Sequence, residues 1–200
     1  MGAILQSLGR TVVAGVVVLI VIVIIVSTAA GGAVKFDHAW WTFFMRWLHV
    51  LSGVMWIGIL WYFNFVQIPS MPKIPDEQKP AIGKVIAPTA LFWFRWAALA
   101  TVITGLLVAL MSPQPGYLAG ALTFQKPFIA IGIGMWLALI MAFNVWFIIW
   151  PNQKKALGIV QVEAAEKAKA ARMAMLTSRF NTMLSIPMLY CMVAQQNGGL

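Results

Sequence analysis

From Thr11 to Ala30 the chain carries no charged side chain and is apolar on every helical face. Such a helix has no face to offer water, whereas a hydrocarbon core of roughly 30 Å is crossed by about 20 apolar residues rising 1.5 Å each. Lipid also gives the backbone no hydrogen-bond partner, so each amide must be satisfied inside its own segment, which a helix does. Further apolar runs follow from about Trp40 to Val66, Pro88 to Met111, Pro127 to Trp150 and Phe180 to Ala194. The pattern predicts an all-α integral membrane bundle of about five transmembrane helices. Hydrophobic residues make up 62% of the 200 and charged ones 10%. A soluble domain normally carries about a quarter charged, so an ordinary soluble fold is excluded, as is a second large domain.

The charges lie between the runs. Lys73, Lys79 and Lys84 follow the second, and Lys154, Lys155, Lys167, Lys169, Arg172 and Arg179 follow the fourth, against only Lys35 and Lys126 in the opposite loops. Basic loops stay in the cytoplasm, which predicts the N-terminus inside and the C-terminus outside the membrane. The net charge of +9 is then juxtamembrane charge facing anionic lipid headgroups, with no nucleic-acid partner. Residues 1–36 read as an N-terminal anchor span. The stretch Ser27 to Ala33 has the small residues of a cleavage site, but the apolar run exceeds a signal-peptide core, so the anchor reads as uncleaved. Residues 37–200 read as a four-helix membrane domain with a cytoplasmic amphipathic helix at 152–177. In that helix Glu163 precedes Lys167 by four residues and Glu166 precedes Lys169 by three. The repeated prolines between Ile68 and Glu77 predict a loop with short ordered pieces.

Ionisable groups inside a span are costly, about 2.5–3.5 kcal/mol on insertion scales, and therefore functional candidates. Arg46 and His49 are three residues apart and share a helix face that Gly53 and Trp56 continue. Two readings stand side by side. In one, His49 gives an axial imidazole to the iron of a b-type haem and Arg46 pairs with a propionate. In the other, His49 is a hydrogen-bonded packing residue and Arg46 reaches the headgroups. His38 lies about 16 Å away along a helix and cannot grip the same iron, while Met111, Met135 and Met141 are alternative second ligands or ordinary packing. Arg95 is a further polar anchor, held by carboxylates, phosphates or tryptophan faces. Asn64, Asn144 and Asn181 read as interhelical bonds or polar cofactor contacts. Trp40, Trp41, Trp93, Trp96, Trp146 and Trp150 cluster near span ends, the usual place for indoles. The single cysteine, Cys191, excludes an internal disulfide and the C-x-x-C-H attachment of c-type haem. With no Asp or Glu in any predicted span, a carboxylate relay has no parts.

Four stretches together carry a resemblance: Trp47 to Gly58, Trp93-Phe94-Arg95-Trp96, Asn144 to Lys155 with its Trp-Pro-Asn-Gln-Lys run, and Ser178 to Met183. They resemble the urate oxidase N-terminal family, the membrane domain of bacterial membrane-bound urate hydroxylases, from about Trp40 to Gln195. The histidine helix is more distantly similar to those of haem-b membrane protoporphyrinogen oxidases and copper-resistance D-type proteins, which implies His49 as the helix-borne histidine. The family's long members add further spans and a cytochrome c domain. None follows here, so a separate cytochrome or respiratory-complex partner is expected.

The expected function is thus a membrane redox protein that binds b-type haem through His49, with Arg46, Gly53, Trp56 and Arg95 around it, for electron transfer or oxidation of a small reductant. The rivals are a non-catalytic subunit or homo-oligomeric component of a membrane complex, and a small-solute channel or transporter lined by Arg46 and His49.

Overall fold

The computed structural model describes residues 2–199 and is all-α. Seven helices follow in order: α1 (Gly2–Leu5), α2 (Leu8–Ala29), α3 (His38–Lys73), α4 (Lys79–Leu110), α5 (Tyr117–Leu122), α6 (Ile129–Ala156) and α7 (Ala164–Asn197). Four of them, α2, α3, α4 and α6, are long and apolar enough to cross a membrane, so the chain is a multi-pass membrane protein. The chain divides into two units between Trp41 and Thr42, within α3. In the first, α2 has no buried residue, as its all-round apolar sequence requires of a helix solvated by lipid. Asp37 caps the start of α3, its carboxylate accepting from the Trp40 amide at 2.9 Å.

The second unit holds the core. Trp56, Ile57, Leu60 and Phe63 of α3 pack with Leu91 and Phe94 of α4, Met141 and Val145 of α6, and Met188 of α7. Polar side chains fasten the helices between these contacts. Asn144 donates to Asn181 Oδ1 at 2.8 Å and Asn181 donates to the Met141 carbonyl at 3.0 Å, joining α6 to α7. Asn64 donates to Ser178 Oγ and Trp61 Nε1 to Ser185 Oγ, joining α3 to α7. The three asparagines therefore make interhelical bonds.

The proline-rich stretch differs from expectation. Helix α3 continues through Pro69 and Pro72 to Lys73, leaving only residues 74–78 outside helix. The prolines sit at the first positions of fresh helical turns, where the missing N–H removes no bond. The same device recurs. Wide π turns at Tyr62–Gln67, Ile82–Ile86 and Asn144–Ile149 each end two residues before a proline, Pro69, Pro88 and Pro151. Widening the ladder to i→i+5 relieves the clash of the ring with the preceding turn, so the helix bends instead of stopping. At the other basic connection, α7 begins at Ala164 and runs unbroken into the apolar segment from Phe180. Glu166 pairs there with Lys155 of α6 rather than with Lys169.

Candidate functional site

His49 lies midway along α3, where the sequence offers no bulky neighbour from α4: Gly105 faces it. A methyl carbon built on Gly105 would stand 2.8 Å from His49 Cε1, so the ring rests directly against the α4 backbone. There His49 Nδ1 is 2.9 Å from the Thr101 carbonyl. A carbonyl only accepts, so Nδ1 carries the proton. Thr104 Oγ1 is farther, at 3.4 Å, and already donates to the Ala100 carbonyl at 2.6 Å. With Nδ1 so fixed, Nε2 keeps its lone pair, and no group among the described residues bonds it. This is the arrangement in which backbone orients an imidazole that is to bind a metal.

A cavity of about 640 Å³ adjoins the ring, lined from α3, α4, α5, α6 and α7. Its size falls within the range of small-molecule and cofactor sites. It exists because α3 is fastened to α4 at Thr42 and His49 and to α7 at Trp61 and Asn64, while α3's Val50 and Val54, which line the space, stay exposed. Ile131, Met135, Ala138, Leu139, Met188, Leu189 and Met192 supply an apolar wall opposite. Besides His49 and Thr101, its polar lining residues are Arg46, Tyr117, Gln196 and Asn197. Burial pushes the Tyr117 phenol above its ordinary value, and the Arg46 charge pulls against that shift.

The structure thus gathers Arg46, His49, Gly53 and Trp56 around one cavity. Arg95 is not in its wall. Its guanidinium carbon sits 3.3 Å from the Trp150 ring centroid and 5.9 Å from that of Trp146, so tryptophan faces are what hold it. Of the methionines weighed as second ligands, Met135 lines the cavity, whereas Met141 is fully buried in the core and Met111 ends α4. His38 is also outside the lining. Sequence reasoning missed Gly105, Thr101, Tyr117, Met188 and Met192, because which helix faces meet is not written in any one segment. Among the described residues no cluster of histidine, cysteine and carboxylates could hold a bare metal ion.

Residues 120–198 match the urate oxidase N-terminal family. The urate oxidase N-terminal match thus takes in the end of α5 and all of α6 and α7, including Asn144, Asn181 and the apolar cavity wall of Met135 and Met188. It leaves out α3 and α4, and so Arg46, His49, Gly53, Trp56 and Arg95. The resemblance expected from about Trp40 is matched only from residue 120. No curated protein and no solved structure matches the chain.

Proposed function

We propose that the cavity beside His49 binds a b-type haem and that the protein is a redox component of a bacterial inner membrane. The observation that carries this reading is the pairing of His49 Nδ1 with the Thr101 carbonyl, which leaves Nε2 unpaired beside a large apolar cavity. A histidine that merely packed would have both nitrogens satisfied or excluded. The residues fit the group in three respects. His49 offers an oriented imidazole, Arg46 offers a guanidinium for a propionate, and Gly53 leaves open space in the cavity wall on the same helix face. Within the wall, Met135, Met188 and Met192 are the thioethers that could add a second axial ligand. When bound, haem supplies one-electron iron chemistry. The protein's own part is to fix the imidazole tautomer, exclude water and neutralise the propionate charge. The apolar lining favours a small lipid-soluble reductant over a charged one, and electrons would pass to a cytochrome or respiratory partner.

The reading includes five crossings with the N-terminus inside. Helix α7 falls short on average hydropathy because Arg179 and Gln195-Gln196-Asn197 bound its apolar stretch and Asn181, Thr182 and Ser185 lie in it, yet Asn181 and Ser185 are fully buried and hydrogen-bonded. Its outer face is Phe180, Met183, Ile186, Tyr190 and Val193, all exposed, which is what lipid requires. The test is a reduced-minus-oxidised spectrum of freshly extracted protein. A b-type band with about one haem per chain, lost in H49A, is expected. A fully folded preparation from haem-replete cells with no band would sink the proposal.

A further inference from the structure

The second cluster that composition alone cannot explain lies away from the cavity, where α4 meets the end of α6. Arg95 lies flat on Trp150, and Lys154 Nζ is 5.7 Å from the centroid of that same ring, so two cations address one indole. Stacking stabilises a guanidinium but gives its N–H groups no acceptor. Nε and Nη1 of Arg95 are buried without a hydrogen-bond partner, as is Nε1 of the adjoining Trp146, so the edge of the guanidinium that an outside anion can reach is Nη2. Donors without acceptors are costly in an apolar setting, the more so when charged. The helices around it offer no acceptor carboxylate: α3, α4 and α6 contain no Asp or Glu, Asp76 and Glu166 are already paired with Lys79 and Lys155, and Glu77 and Glu163 are exposed.

This concentration of donors calls for an anion with several acceptor oxygens. Its position says which kind. Trp150 closes the apolar part of α6 and is followed at once by Pro151-Asn152-Gln153-Lys154-Lys155, the composition of a headgroup boundary. Helical side chains lean toward the N-terminus, so Arg95, set inside α4, reaches back toward that same boundary, where exposed Trp93 and Trp96 also lie. We propose that Arg95 and Lys154 form, on the Trp150 platform, a binding site for the phosphate of an anionic phospholipid. Arginine forks and stacked indoles between helices are the chemistry that holds such headgroups. The site gives a role to the Trp93-Phe94-Arg95-Trp96 and Trp150 to Lys155 motifs and is independent of any haem.

The full chain in detergent, titrated with phosphatidylglycerol or phosphatidylcholine and read by native mass spectrometry, tests this. One phosphatidylglycerol should stay bound where phosphatidylcholine does not. R95Q and K154Q should each weaken retention by about tenfold, as loss of a charge-assisted bond implies, and K84Q, on an exposed lysine of the same membrane face, should leave it unchanged. R95K, which keeps the charge but loses the flat fork, should also fall, and it stands in for R95Q if that variant does not fold. Equal retention of both lipids, or R95Q and K154Q behaving as wild type, overturns the site. Inorganic phosphate that binds wild type and displaces the lipid at millimolar concentration overturns the assignment to a lipid headgroup.

Discussion

Replacing Gly105 by alanine puts a methyl carbon 2.8 Å from His49 Cε1 and 3.0 Å from Nδ1. Non-bonded carbons rest at about 3.5–4.0 Å, so the imidazole must withdraw by about 1 Å. Nδ1 now stands 2.9 Å from the Thr101 carbonyl, and that withdrawal takes it beyond hydrogen-bonding distance. The lost bond costs about 0.5–1.5 kcal/mol. Alanine in place of glycine inside a helix returns about 1 kcal/mol. Folding stability should therefore change little, with the unfolding midpoint moving by no more than a few degrees, while the imidazole loses the contact that fixes its tautomer. Two measurements read this out. Nitrogen-15 spectra of labelled histidine should show His49 protonated at Nδ1 in the wild type and as a tautomer mixture in G105A, and haem per chain should fall in the variant. A G105A protein with the wild-type tautomer and full haem content would refute the reasoning from geometry to ligand.

Gly132 is a harsher position: a methyl there would stand 2.2 Å from the Ala121 carbonyl oxygen, which is backbone and cannot swing aside. G132A should cost about 1–3 kcal/mol or more, seen as a lowered detergent unfolding midpoint, and a wild-type midpoint would count against the close packing of α5 on α6. N181A removes both buried bonds between α6 and α7 and should lose about 1–3 kcal/mol by the same assay. Outside the membrane, the Lys79 hydrogen bond and charge hold the Asp76 carboxyl below its ordinary value. Its ion pair is present above the ordinary carboxyl range and is lost as pH falls through the lowered value; carbon-13 titration should show this, and K79A should return the carboxyl toward normal.

The four long apolar helices were legible because each is driven by a long apolar run, and a bilayer leaves such a run only one backbone form. Arg46, His49, Gly53 and Trp56 were legible as a group because helical spacing puts them on one face, and that face meets the cavity. Their partners were not. Thr101 and Gly105 carry no chemical signal in sequence, since one contributes only a carbonyl and the other only the absence of a side chain. Arg95 had three named kinds of partner, and the choice of Trp150 depends on how α4 crosses α6, which no periodicity encodes. The prolines from 69 onward read as a break because their cost in an α ladder is well known, whereas the wide turn before Pro69 absorbs it.

The inward polar stripe of α7 has a consequence for how the protein is made. On the five-crossing reading, this segment leaves the translocation machinery with its amide and hydroxyl groups facing whatever is beside it. Oil alone would leave them stranded. The preceding hairpin partner must already be in place to receive them, so the last crossing enters laterally as half of a pair, and a chain whose α6 is scrambled should release its C-terminal segment to the wrong compartment.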